Sequence, residues 1–432
     1  MDFNEVNIFE NGFLNQFKAA QANLKVCMAT PSCASNPSFG NQGLTGQVPL
    51  PIFDAAFFNA NNPGVGEAGG PGTYTDYTNE SFITMLNQGA AGALADQLAY
   101  PFGTTNYICN LIGSSISPCA ADGYTAPGPY PLNFFQANPL AASFPGVTQS
   151  WLDAGGYGNY HALQVDLRQK QWHGMQFDVN YTWSHTLGLQ PDNQWLGTVT
   201  EFSIRNLRQS YGPTSFDIRH VIHASGTVDL PFGHGKALLN RTGAVDKVVG
   251  GWTLGTIFVF QTGLPFQVFG GYNTFNDYGD SGLVLNGITK AQLQNAIGVY
   301  HTSGPYVDLL NPKLLNATPS SNCNSIVVNI YQNATPGTFG INPWLYGPHV
   351  WNDDLSITKM VPIRERIRFS LQAEFLNVFN HPNFTTPGQA PFYIGSTNIQ
   401  SGGFGQAGLL RWTNTTPNDS ARLIEFRANI SF

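Results

Sequence analysis

The groups in this sequence with the reach to do chemistry are nine histidines, five cysteines and 26 carboxylates. General acid/base work needs two carboxylates converging on one point. The adjacent pair Asp353-Asp354 sends one side chain to each side of an extended chain, and a solvated loop edge near a strand end is the better reading. His220 and His223 are three apart in an alternating stretch, so they face opposite ways and cannot chelate one ion together. His161, His173, His185, His234, His301, His349 and His381 are scattered, as surface and loop histidines are. Cys27 with Cys33 and Cys109 with Cys119 form two local pairs, and Cys323 stands apart. Closed as disulfides, the pairs would suit an oxidising compartment, and the alternative is five free thiols; neither pair has zinc-site spacing. The glycines between Gly64 and Gly72 do not sit between a strand and a helix, as a phosphate loop requires. No catalytic residue, metal ligand or cofactor is expected, and the protein is read as not an enzyme.

The one constellation that stands out is a set of charges at every second position of apolar-alternating stretches: Asp166, Arg168, Asp178, Asp217, Arg219, Asp229, Arg366, Arg368 and Glu374. If those stretches cross a membrane, their charges must point away from lipid, into a lumen. There they would hold a plug by ion pairs, line a solute path, or only brace one another across strands in a wet interior.

Such charges are rare in this chain. Only 10% of its 432 residues are charged, against roughly 25% in a typical soluble domain. Glycine (47 residues) and aromatics (13%) take up the difference, which describes a β-rich chain with long polar loops rather than a charged helical protein or a disordered one. A net charge of −7 without a cluster of Lys and Arg excludes nucleic acid as a partner. No apolar run reaches the ~20 residues of a membrane helix, so a membrane location has to come from strands.

Period-two alternation predicts seven long strands, near 159–170, 175–186, 214–230, 249–262, 351–361, 366–380 and 421–432. At about ten residues they match the length a tilted membrane strand needs, whereas sandwich strands average ~5 or 6. Connections at 171–174, 231–248 and 362–365 are short or moderate, and those at 187–213, 263–350 and 381–420 are long. This is the short-periplasmic, long-extracellular asymmetry of an outer-membrane barrel. Trp183, Trp252, Trp351 and Phe432 fall near strand ends as interfacial anchors, while Tyr74, Tyr77 and Trp344 in the outer segments are open to ligand stacking. Residues 1–157 read as a large external loop region with two helix-like stretches, Asn11 to Leu24 and Ser81 to Ala99, and residues 158–432 as the membrane strands.

The stretches "EVNIFENGFLNQFKAAQANL", "NYHALQVDLRQKQWHGMQFDVNYTWSHTLG", "YGPTSFDIRHVIHASGTVDLPFG", "VVGGWTLGTIFVFQTGLPFQV" and "RIRFSLQAEFLNVFNHPNF", with the final strand, resemble TonB-dependent outer-membrane receptors of the Oar-like group. The resemblance spans the whole chain. It implies an all-β fold, an antiparallel transmembrane barrel of 22 strands with long external loops, of which this chain would supply about seven. Neither a signal peptide, a TonB box nor a plug is legible here, so the chain is expected to be a C-terminal fragment of such a barrel, either functional or a truncated remnant. The resemblance further implies outer-membrane lipid, the barrel-assembly machinery and a bulky solute as partners, with the TonB system engaged only through the missing plug. It implies that Phe426, Ile430 and Phe432 form the C-terminal assembly signal. The competing reading from the residues alone is a secreted β-rich adhesin or carbohydrate-binding sandwich.

Overall fold

In the computed structural model the alternating stretches form seven long strands: β1 Gly158–Trp172, β2 Met175–Leu189, β3 His220–Asp229, β4 Trp252–Gln261, β5 Val350–Arg364, β6 Ile367–Leu376 and β7 Leu423–Ser431. The structure describes all residues except 1, 4–5, 59–68, 100–106, 116, 138–155, 190–199, 202, 204, 269–271, 277–281, 303–305, 315–330, 334, 342, 365–366, 388–405 and 408–420. Each strand pairs antiparallel with the next in sequence, the up-and-down order of a barrel wall, and β1 and β7 are the edges of the described sheet.

Register sorts the side chains onto two faces. Val165, Tyr181, Ile222, Phe260 and Trp351 fall in one cross-strand row, and Val228, Leu254, Ile357, Ala373 and Phe426 in another. On the opposite face run Arg168, Asp178, Ser225, Ile257 and Asp354, then Gln176, Thr227, Gly255, Ser356, Glu374 and Glu425. The apolar face is uncovered: Leu163, Val165 and Leu167 are at least half exposed and Phe426 is 74% exposed. A sandwich would bury these side chains against a second sheet. A membrane strand presents them to lipid.

Two strand bounds differ from the sequence expectation by more than three residues. The third strand begins at His220 rather than 214, because residues 214–219 form a turn that turns the Asp217 carboxylate back on the chain. The sixth ends at Leu376 rather than 380, where Asn377 takes the left-handed backbone (φ 51) and donates its N–H to Asp354 at 2.7 Å.

The stretch expected to be loop material folds into a packed helical body. Helices α1 Phe13–Ala29, α2 Pro51–Phe57, α3 Glu80–Gln88, α4 Ala91–Ala99 and α5 Tyr107–Ile112 surround a core of aromatic rings. Phe13, Phe17, Phe39, Phe53, Phe57 and Tyr77 are each fully buried, and the Phe39 and Tyr77 rings meet edge to face at 4.9 Å. Tyr77 donates its hydroxyl to Asp54 at 2.8 Å, which gives the buried phenol its partner. The single helix expected from Ser81 to Ala99 is two, broken where Gly89 caps α3 in the left-handed region (φ 74). Disulfides Cys27–Cys33 and Cys109–Cys119 close two of its loops.

This body docks on the long connection between β4 and β5. Gly92 donates its N–H to the Asn273 carbonyl at 2.9 Å, and a Cβ at position 92 would stand 2.4 Å from the Asn276 backbone, so only glycine allows the approach. The Val6 N–H meets Asn276 Oδ1 at 3.2 Å, and Phe9 packs on Phe275 at 5.3 Å. The connection carries its own small core, with Phe266, Val268, Leu293, Leu310 and Leu345 buried. Helical body and long connections therefore lie at one end of the sheet, opposite the short turns.

Candidate functional site

The polar face of the sheet borders an open cavity of about 630 Å³. Its lining runs from Arg168 on β1 and Asp178 on β2, through Ser225 on β3 and Ser356 on β5, to Gln372 and Glu374 on β6. Strands from β1 to β6 border one space, so the sheet curls with its polar face inward. The right-handed twist of adjacent strands coils the sheet in this way.

Among the wall charges, Asp166, Arg168, Asp178, Asp229 and Glu374 are each held in an ion pair. Arg168 bridges two carboxylates, with Nη2 2.9 Å from Asp166 and Nε 2.6 Å from Asp178. Asn180 donates to the other Asp178 oxygen. The far edge repeats this arrangement: Glu374 and Glu425 stand directly opposite in register, and Arg427 reaches both at 3.2 and 3.3 Å. Asp229 accepts from Thr253 Oγ1 at 2.8 Å, with Lys236 3.8 Å away. Arg368 stands on β6 opposite Pro362 and Ser431. Arg366 lies outside the described residues. Arg427 and Glu425 belong to this set although the charged positions singled out from sequence omit them; their alternation with Ile424, Phe426 and Ala428 carried the signal.

Asp217 and Arg219 are corrections to the wall. Both sit in the turn before β3, at the end of the sheet that bears the long connections. Asp217 is fully buried and accepts from the Thr186 N–H (2.7 Å), the Tyr346 hydroxyl (2.7 Å) and Arg219 Nε (3.0 Å), with His185 Nδ1 at 3.3 Å. Burial alone would raise this carboxyl. The Thr186 amide, then Tyr346, His185 and Arg219, outweigh burial and hold it below the ordinary carboxylate range. Tyr346 answers in the other direction, pushed up to about 12 by burial and by its bond to Asp217. The Arg219 guanidinium also lies 5.4 Å over the Tyr346 ring.

The remaining candidates fall into place around these two features. His220 belongs to the apolar row beside Trp183, and His223 to the polar row beside Asn180. Asp353 and Asp354 lie inside β5 rather than at a loop edge; Asp353 accepts from Thr256 on the apolar side, and Asp354 from Asn352 on the polar side. Tyr74, Tyr77 and Trp344 are buried, so they are core rings and not exposed stacking platforms. Trp351 does sit at a strand end, ringed by Phe258, Phe379 and His381, and Trp252 opens β4 at the opposite end. Phe426, Ile430 and Phe432 are all exposed, Phe432 at 94%. Among the described residues, no three His, Cys, Asp or Glu side chains gather as they would to hold a metal.

A row of paired charges around a cavity, inside a sheet whose other face is mostly apolar and uncovered, is the cross-section of a membrane barrel wall. The family model for an outer membrane beta barrel domain matches residues 105–423, about three quarters of the chain. The chain belongs to the outer membrane beta barrel domain family. Neither a curated protein nor a solved structure matches it. The match includes β1 to β6 and begins inside the helical body, just before α5, so α5 with Cys109 belongs to the outer membrane beta barrel domain as matched. Family membership places the protein in the outer membrane and assigns its uncovered apolar rows to lipid. Among the described residues no helix is long and apolar enough to cross a membrane, and a barrel crosses with strands instead.

Proposed function

We propose that this barrel domain is part of a TonB-dependent receptor of the Oar-like kind, which binds a bulky solute at the cell surface and takes it up. The observation that carries the reading is the cavity on the inner face, walled by bridged charges near both ends of the sheet, with the helical body and the core of the β4–β5 connection at one end of the sheet. In that reading the seven strands are one arc of a barrel of about 22, the size at which outer-membrane transporters hold a plugged lumen. The bridged charges face the plug, through which the TonB system acts. The helical body and the β4–β5 connection supply the outer surface that meets the solute, of which iron chelates, carbohydrates and peptides are the candidate classes. Recognition of Phe426, Ile430 and Phe432 by the barrel-assembly machinery belongs to the same proposal. The protein is read as a binding and transport protein without catalysis or a cofactor, since its wall carboxylates are held by arginines rather than converging on a reacting atom.

The test is uptake by cells with and without the gene, using radiolabelled ferric chelates, oligosaccharides and peptides, each with and without a protonophore. A solute whose accumulation needs both the gene and the inner-membrane proton gradient supports the proposal. Accumulation that is gene-dependent yet unaffected by the protonophore would point to a passive pore and reject the TonB-dependent reading.

A further inference from the structure

The connection between β3 and β4 is an arm, not a turn. Residues 231–250 close on themselves: Leu238 donates its N–H to the Pro231 carbonyl at 2.8 Å, and Gly233 to Leu238 at 3.0 Å. The Asp246 carboxylate accepts the His234 N–H at 2.6 Å. The arm ends in helix α6, Ala244–Val249.

Lys359 fixes the direction in which α6 lies. Its position on β5, in register with Trp252 and Leu371, belongs to the apolar face, where a lysine head has no partner in lipid. The side chain instead runs to the end of the sheet, donates to the Val248 carbonyl at 3.2 Å and to the Gly250 carbonyl, and is left 8% exposed. These are carbonyls at the C-terminal end of α6, which favours a cation. The ammonium lies 5.2 Å over the Trp252 ring, and Trp252 Nε1 donates to the same Val248 carbonyl at 3.0 Å. The helix is thus held over the lipid side of the sheet and not over the cavity.

Held there, the arm exposes apolar and basic side chains together. Leu238 and Leu239 are 51% and 55% exposed, Val245 and Val248 48% and 69%. Lys236, Arg241 and Lys247 are exposed beside them, against one acidic residue, Asp246, in a chain whose net charge is −7. Apolar side chains flanked by cations, next to an interfacial tryptophan, are what lies in the headgroup layer of an anionic bilayer.

We propose that the 231–250 arm is a membrane-surface anchor that seats Leu238, Leu239, Val245 and Val248 in the leaflet at the short-turn end of the barrel and recruits anionic phospholipid through Arg241 and Lys247. The inference rests on the barrel's place in the membrane and not on any solute it takes up.

The full-length protein, extracted from outer membranes and reconstituted in vesicles, tests this with Val248→Trp. Quenching in excess of the parent protein is read with lipids brominated near the headgroup, in phosphatidylcholine alone and with phosphatidylglycerol added. The expected result is excess quenching that rises at least twofold with phosphatidylglycerol and falls back to the neutral-vesicle level when Arg241→Glu and Lys247→Glu are added. These substitutions sit on exposed arm positions and leave every strand intact, and heat-modifiable gel mobility checks that the barrel is folded. Quenching of the introduced indole by aqueous acrylamide with none by brominated lipid would overturn the proposal, and lipid quenching of equal size in both vesicle types would overturn the anionic part.

Discussion

Tyr346 donates its hydroxyl to the buried carboxylate of Asp217 at 2.7 Å, across 129 residues of chain. This one bond ties the long β4–β5 connection to the turn that starts β3, and Arg219 donates to the same hydroxyl at 3.1 Å. The outer bodies are therefore fastened to the rim of the sheet by a charge with no access to water. Tyr346→Phe removes the bond and leaves the carboxylate one donor short, a loss of about 1.5–3 kcal/mol for a hydrogen bond to a charged group. Limited proteolysis should show the 263–350 connection cleaved faster in the variant, with the strands still protected.

The same site predicts an acid response. The folded pKa of Asp217 lies below its unfolded value, so its contribution to stability is fully present above the unfolded carboxylate value of about 3.9 and is lost as pH falls through the lower folded value. Proteolytic protection of the connection should hold at pH 5 and decline below pH 4. Asp217→Asn should be weakened at neutral pH and show a flatter decline. An equally steep decline in that variant would assign the acid step to another group.

At the far edge, Arg427→Gln leaves Glu374 and Glu425 facing each other in register. Arg427 is well exposed, so the loss is expected to be modest, about 0.5–1 kcal/mol, and screened by salt. Thermal denaturation in detergent should show a lower midpoint for the variant at low ionic strength, with the gap narrowing at high salt.

Cys109 and Cys119 close a loop of ten residues in the helical body. Replacing both with serine should cost that body about 2–4 kcal/mol. Mass spectrometry after alkylation, with and without reductant, reports the bond in the parent; faster proteolysis confined to residues before Gly158 reports its loss in the variant.

The two faces of β3 make opposite predictions for one substitution. Ala224 shares the apolar row with Val179 and Phe258, and Ser225 the polar row with Asp178. Arginine at 224 should cost about 2–4 kcal/mol if it meets the bilayer midplane, while arginine at 225 meets the wet interior beside a carboxylate and should cost much less. Urea unfolding in bilayers measures both, and equal costs would contradict the assignment of faces.

How much could be read before the fold was known follows from the range of each interaction. Seven strands, their neighbours and their two faces were legible because alternation is a local property and up-and-down pairing joins consecutive strands. The bridged charges of the wall were legible for the same reason, since Arg168 and Asp178 face each other across one hairpin. The helical body was not: Phe39, Phe53, Phe57 and Tyr77 lie in short segments rich in glycine and proline with no sustained period, and only packing shows them to be one core. Asp217 reads as a wall residue in the sequence because its alternation with neighbours continues past the point where the strand begins. By itself, then, the sequence determined an apolar face, a polar face and strands long enough to cross a membrane, because each residue's side of a strand depends only on its parity. The tertiary structure alone decided that Tyr346 meets Asp217, that Lys359 leaves the lipid face for the carbonyls of α6, and that the outer segments are bodies with cores. Those contacts join residues tens to hundreds of positions apart, and no local pattern encodes which distant group will satisfy a buried charge.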